Sequence, residues 1–252
     1  MLLIRFFRII LPLLASLAGL VYISLTMAGG FRRHPFLDKV YLFKIDTTNI
    51  QAYKFPSERP PNVTPAEHIG LNNHYYFYMW GHCDARRHMY LKRCTKPKIG
   101  YHFNPLSILR EKLLKGSVVK VPSKTGSFTD KVKIGSIVMT GLYAAGLVFS
   151  ALLFLSKLIF AIFDLDDKAP RVIAGLAMIF NLLAATSSTA LIIIIKRTIK
   201  TDAGYLNLKV HYGKSSLIYS WVAAYTVLIA YISLLIANRQ LQKRRQATEK
   251  LY

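Results

Sequence analysis

Residues 134–156 read IGSIVMTGLYAAGLVFSALLFLS and contain no charged side chain. A helical run of about 20 such residues is long enough to cross a hydrocarbon core of roughly 30 Å. Three other stretches have the same character: 9–28, 172–195 and 215–236. The chain therefore reads as a membrane protein, an all-α four-helix bundle, with the remaining polar sequence in its loops. Composition agrees. Of 252 residues 53% are apolar, mean hydropathy is positive, and 34 Lys and Arg against 12 Asp and Glu leave a net charge of +22. Apolar content this high excludes intrinsic disorder. The basic residues are dispersed over both sides of the spans rather than gathered on one soluble face, which excludes a nucleic-acid partner.

The first stretch follows Arg5 and Arg8, as a secretory signal would. Its apolar run of about 20 residues exceeds the core of a cleaved signal, so a retained anchor is the preferred reading. The second stretch continues past Lys157 to Phe163, longer than an untilted span needs. Lys157 is expected to snorkel to the inner interface, with 158–163 at headgroup depth or on a tilted helix. Gly141 with Ala145, and Ala184 with Ser188, form small-xxx-small pairs that let helix backbones approach. Small residues are common in spans, and these pairs do not assign helix partners. The third span carries Asn181, Thr186, Ser187, Ser188 and Thr189. With no ionisable residue at midplane depth and Pro12 near the end of the first span, these groups are expected to bond to backbone or across helices rather than line a pore.

Orientation follows from Lys and Arg near the span ends, leaving aside the long 30–133 loop. With both termini cytoplasmic, the inner side holds Arg5, Arg8, Lys157, Lys168, Arg171, Arg239, Lys243, Arg244, Arg245 and Lys250, against Lys196, Arg197, Lys200, Lys209 and Lys214 outside. The cysteines point the same way. Cys83 and Cys94, both in the long loop, read as one disulfide if the loop faces an oxidising compartment and as two free thiols if it is cytosolic. Asn62-Val63-Thr64 is a glycosylation sequon, weakened by Pro65 behind it. The expected layout is a cytoplasmic segment 1–8, an external loop 30–133, a cytoplasmic turn 157–171, an external loop 196–214 and a basic cytoplasmic tail 237–252.

The long loop is domain-sized. Val40 to Ile45 is β-branched and aromatic like a strand, with turn residues following at Asp46 to Asn49. Tyr75 to Trp80 suits a second strand, and Tyr205 to Tyr212 alternates as a half-buried strand would. Together they predict a small extracellular antiparallel β-sheet. Ile108 to Leu114 has the character of a short helix, and Lys115 to Lys133 that of a flexible basic lead-in to the second span.

Three blocks carry a family resemblance: Tyr41 to Asn49 around Asp46, then Trp80-Gly81-His82-Cys83 with Cys94, then Gly100-Tyr101-His102-Phe103-Asn104-Pro105. The middle block is similar to the Trp-x-x-Cys signature of claudin-type tetraspan proteins, although no Trp precedes Trp80 as one does in claudins proper. In their order the blocks resemble the fungal plasma-membrane family that includes the eisosomal (Sur-type) tetraspanners and the PalI pH-response regulators. The resemblance implies a claudin-like fold and a non-enzymatic membrane organiser, involved in cortical domains, cell-wall assembly, ambient-pH signalling or cell fusion in mating. The residues do not choose among these.

The residues themselves support two functional readings. In the first, the chain organises membrane. The long loop holds 19 basic and 7 acidic residues, net +12, and attracts anionic headgroups or acidic wall polymers, while the spans contact the bilayer, further copies or other tetraspan proteins. Lys243, Arg244 and Arg245, just inside the fourth span, suit contact with anionic inner-leaflet lipids. In the other, the chain senses external pH. All seven histidines fall in the outer loops, and His82, His88 and His102 lie in or near the Cys83–Cys94 ring. A polar residue has nowhere else to sit in such a chain, which accounts for much of that enrichment. No metal or cofactor is expected, since the histidine spacings match no compact ligand pattern. Asp164, Asp166 and Asp167 lie beside Lys168 and Arg171 in a short turn and read as charge balance or a helix cap, not as a catalytic acid pair.

Overall fold

The computed structural model describes residues 6–32, 34–51, 62–86, 91–103, 108, 125–163, 168–202 and 204–249. In chain order the elements are α1 (Leu11–Ala28, entered through a π-helical turn at Phe6–Ile10), β1 (Phe43–Asp46), the one-turn α2 (Pro65–His68), β2 (His74–Tyr78), β3 (Gly81–Ala85), β4 (Leu91–Cys94), α3 (Thr125–Phe163), α4 (Lys168–Asp202), β5 (Lys209–Tyr212) and α5 (Lys214–Glu249). The long apolar stretches are helical because a helix satisfies all its backbone polar groups internally, as hydrocarbon demands. Among the described residues, four helical segments are long and apolar enough to cross a membrane: Phe6–Ala28, Asp130–Ile162, Lys168–Thr201 and Lys214–Lys243. The wider π turn falls just before Pro12, whose ring crowds the carbonyl four residues back and which has no N–H to bond it. The chain divides into two compact units: Met1–Met27, Gly141–Thr186 and Ile218–Tyr252 make one, Ala28–Thr140 and Ser187–Leu217 the other.

The first unit is helical. Ala15, Leu153, Ala174, Ala177, Val227, Ala230 and Leu234 form its core, with Phe149 and Met178 packed against it. Small residues set the helix spacing: a Cβ on Gly19 would lie 2.6 Å from Val227 Cγ2, and one on Gly146 would lie 3.0 Å from Ile23 Cδ1. Gly141, noted above as one member of a small-xxx-small pair, faces open space. Helical phase explains the difference. Tyr143, Gly146, Ser150, Leu153 and Lys157 share one buried stripe at i, i+3, i+4 spacing, and Gly141 falls off it. The same phase corrects the reading of Lys157, which is 2% exposed and turned into the unit rather than snorkelling along its surface. Asn181 is buried, its Nδ2 donating to Ser150 Oγ (3.0 Å) and to Ala177 O (2.7 Å), and Thr186 Oγ1 donates to Leu182 O. Phe149 and Phe180 stack at 5.1 Å, and the Tyr143 and Ser220 hydroxyls share a 2.6 Å bond.

The second unit holds a five-stranded antiparallel sheet in the order β4-β3-β2-β1-β5. Its central strand β2 is buried at every position. Three boundaries differ from the sequence reading. The first strand starts at Phe43, because Val40 closes a 3₁₀ turn over Leu37–Lys39 by donating its N–H to Leu37 O. The second ends at Tyr78, where Met79 and Trp80 turn the chain into β3. In the Tyr205–Tyr212 segment, Gly204–Leu206 is a 3₁₀ turn and Asn207 adopts a left-handed φ of 54°, leaving only Lys209–Tyr212 as strand. Among the described residues that strand pairs with β1 and no other, and most of its residues are exposed rather than half-buried. Of the expected flexible lead-in, 115–124 lies outside the described residues and the remainder is corrected: α3 already runs from Thr125 and carries Lys131 and Lys133, with Val132, Ser136, Met139 and Thr140 forming its buried stripe. Of the expected 108–114 helix only Ile108 lies within the described residues.

Four long apolar helices with a small antiparallel sheet tied by a disulfide make a claudin-like tetraspan architecture.

Candidate functional site

Strand alternation sorts the sheet into two faces. Register places Phe43, Phe77 and His82 in one row and Ile45, Tyr75 and Asp84 in the next on the same face. Phe43 and Phe77 stack at 4.5 Å, and Phe103 meets both edge-on at 5.3 and 6.2 Å. Tyr101 in turn meets Phe103 edge-on, and its hydroxyl shares a 3.0 Å bond with His82 Nδ1. Burial raises the Tyr101 and Tyr78 hydroxyls well above the ordinary tyrosine range and pushes Tyr75 up to about 12, so all three keep their protons; Tyr78 OH donates to Asp38 O, and Tyr75 OH accepts the Asn72 N–H. The opposite face carries Lys44, Tyr76, Cys83 and Cys94 in one row and Asp46, His74 and Ala85 in the next.

Cys83 and Cys94 are directly opposed on β3 and β4 and joined as a disulfide, within a cluster of Tyr76, Tyr78 and Ala85. The other motif residues build the frame around it. A Cβ on Gly81 would lie 2.5 Å from Thr95 Oγ1, the hydroxyl that receives the His82 N–H, so a larger residue would displace that side chain. Trp80 forms the β2–β3 turn, and its carbonyl accepts the Lys98 N–H. Gly100 has a φ of +71°, a conformation that favours glycine, and turns the chain so that Phe103 is buried against the aromatic row. Pro105 and His88 lie outside the described residues.

Asp46 ends β1. Its Oδ1 accepts from the Thr48 N–H (3.0 Å) and hydroxyl (2.6 Å), and His74 Nδ1 is 3.5 Å away. Burial alone would raise this carboxyl, but the two bonds from Thr48 and the positive charges of His74 and Lys44 outweigh it and bring the pKa below the ordinary value. Asn62 is exposed, while the Thr64 hydroxyl of its sequon caps α2, accepting from Glu67 N and donating to Asn73 Oδ1. Of the candidate histidines, His82 is half-buried in the aromatic face and His102 is exposed. Lys243 is exposed on α5, which carries the tail as helix to Glu249.

Several structural residues escaped the sequence reading. The Thr47 hydroxyl is buried and donates to the carbonyls of Asn72 and Asn73, and the Asn72 amide donates to Asp84. A Cβ on Gly213 would lie 1.6 Å from Tyr41 O, and its N–H donates to Leu42 O. His74, 6% exposed and next to Asp46, is the most enclosed histidine of the sheet. No short motif marks these residues, because each acquires its role from a strand distant in sequence.

The sequence model described as SUR7/PalI family matches residues 8–233. The chain belongs to the SUR7/PalI family. SUR7/PalI is a family of membrane proteins, and the four apolar helices and the strand-to-strand disulfide of this member accord with that. A relative from Schizosaccharomyces pombe, named SUR7 family protein pun1, is 26% identical over 174 residues, a match covering 67% of this chain and 60% of the relative.

Proposed function

We propose that this SUR7/PalI protein is a non-enzymatic organiser of the plasma membrane, with its sheet on the outside and both termini in the cytoplasm, acting in cortical membrane domains and in cell-wall or cell-surface processes. The observation that carries the reading is the Cys83–Cys94 disulfide across β3 and β4, since such bonds persist in oxidising compartments. A sheet tied in this way and packed around a wholly buried β2 is a rigid module, suited to holding surface contacts rather than to opening around a substrate. Its partners on this reading are the bilayer, further copies or other tetraspan proteins, and acidic wall polymers drawn to the basic loop. Lys243, Arg244 and Arg245 at the end of α5 contact anionic inner-leaflet lipids.

Live-cell imaging of the tagged full-length chain tests this. Stable cortical patches during growth are expected, and an even, freely diffusing signal would remove the organiser role. A signal restricted to contact sites of mating cells would favour cell fusion.

A role in responding to external pH is the alternative reading, favoured by the bond between His82 Nδ1 and Tyr101 OH and by the approach of His74 to Asp46. Substituting His82, His88 and His102 together should blunt an alkaline response. An unaltered response would remove this reading and leave the first intact.

A further inference from the structure

A cleft of about 440 Å³ opens in the sheet-bearing unit where β5 runs beside β1 between the end of α4 and the start of α5. Lys39, Lys44, Lys196, Lys214, His211 and Ser215 line it, and among the described residues the lining contains no carboxylate. Lys44 and His211 are directly opposed across the β1–β5 pair. Lysine ammonium groups that share one cleft repel one another, and an anion between them relieves that repulsion. Asp46, the carboxylate two residues along the same strand face, is hydrogen-bonded by Thr48 and close to His74; it senses the Lys44 charge but does not line the cleft.

The donors in the cleft are of the kinds that hold phosphate. Lysine ammonium groups supply charge, and Ser215 and Tyr41 supply hydroxyls. Burial raises the Tyr41 pKa, so that hydroxyl stays a donor. Lys214 and Ser215 open α5, a helix of 36 residues whose first N–H groups have no intrahelical partner and whose dipole favours negative charge at this end. Position adds a further constraint. Lys196 directly follows the apolar stretch 172–195 and Lys214 directly precedes 215–236, so each stands where a spanning helix leaves hydrocarbon, at the depth of lipid headgroups.

We propose that this cleft binds a phosphate-bearing anion, supplied by the headgroup of an anionic membrane lipid. The proposal needs neither the organiser reading nor either orientation of the chain, because the cleft would face whichever leaflet lies on the side of the sheet.

The test uses the full-length protein in phosphatidylcholine nanodiscs doped with phosphatidylinositol, with lipid retention read by native mass spectrometry. A triple variant Lys44→Gln, Lys196→Gln, Lys214→Gln should weaken retention on the order of tenfold or more, since each basic group near an anionic headgroup contributes several-fold. The variant with Arg at the same three positions should retain the lipid. A charge-matched control, Lys96→Gln, Lys98→Gln, Lys209→Gln, changes exposed lysines outside the lining and should behave as wild type. A wild-type near-UV circular dichroism spectrum in every variant shows that the aromatic sheet has folded. Inorganic phosphate added to undoped discs separates the two sources of the anion: binding as tight as that of the lipid, with the same lysine dependence, would show that the cleft takes free phosphate and overturn the lipid assignment. Equal losses in the triple variant and its control, or no retention by the wild type, would overturn the site itself.

Discussion

At the scale of single residues, close contacts in the sheet lead to two predictions. Gly213 admits the backbone of Tyr41 to a distance no side chain allows, since an added Cβ would sit 1.6 Å from the Tyr41 carbonyl. The neighbour is main chain and cannot rotate away. Gly213→Ala should therefore destabilise the chain by about 3 kcal/mol or more, at the upper end of overpacking costs, and detach β5 from β1. Amide exchange at Gly213, whose N–H donates to Leu42 O, is the measurement, and unchanged protection would contradict the geometry. Asp46 supplies the other prediction. Its folded pKa is lowered from the ordinary 3.8, so its charged form adds stability above that value, and the stability is lost as pH falls through the lower folded value. Thermal unfolding of the sheet should become easier below about pH 4. Asp46→Asn should remove that part of the acid sensitivity, and an identical acid profile in the variant would refute the assignment.

At the scale of elements, the disulfide and the helix packing can be perturbed separately. Replacing both Cys83 and Cys94 with Ser opens a ring of sequence separation 11 and should cost roughly 3 kcal/mol by the chain-entropy argument. The loss should fall on β3 and β4, while α1, α4 and α5 keep their helical signal in circular dichroism. A global loss of helix would show that the bond supports more than its hairpin. In the helical unit, Asn181 links α4 to α3 through Ser150 and also bonds back to Ala177. Asn181→Leu should lower stability in detergent by about 0.5–2 kcal/mol, the range for hydrogen bonds between membrane helices. A matching loss in Ser150→Ala that does not add to it would locate the coupling in that one bond.

At the scale of the whole molecule, the proposed orientation predicts an accessibility pattern. After reduction of intact cells, a membrane-impermeant maleimide should label Cys83 and Cys94; labelling seen only after permeabilisation would invert the topology and withdraw the proposed role. If the net charge of +12 on the long loop draws it to acidic wall polymers, retention on wall fragments should fall as salt rises, and binding indifferent to salt would exclude charge as the cause. Much of the architecture was already legible in the chain. Runs of about 20 uncharged residues admit few structures other than spanning helices, because a hydrocarbon core offers backbone amides no partner. The aromatic strands and the paired cysteines were visible for a similar reason: residue type and spacing express local preference. Tertiary structure decided the rest. Helical phase across a whole bundle turned Lys157 inward and made Gly146, not Gly141, the point of close approach. The alternation of Tyr205–Tyr212 gave no sign that its strand would sit at a sheet edge. Lys44, Lys196, His211 and Lys214 share a cleft only because strands and helix ends far apart in the chain meet there. Period and hydropathy describe what one segment prefers, whereas a neighbour across a sheet is chosen by the packing of every segment at once.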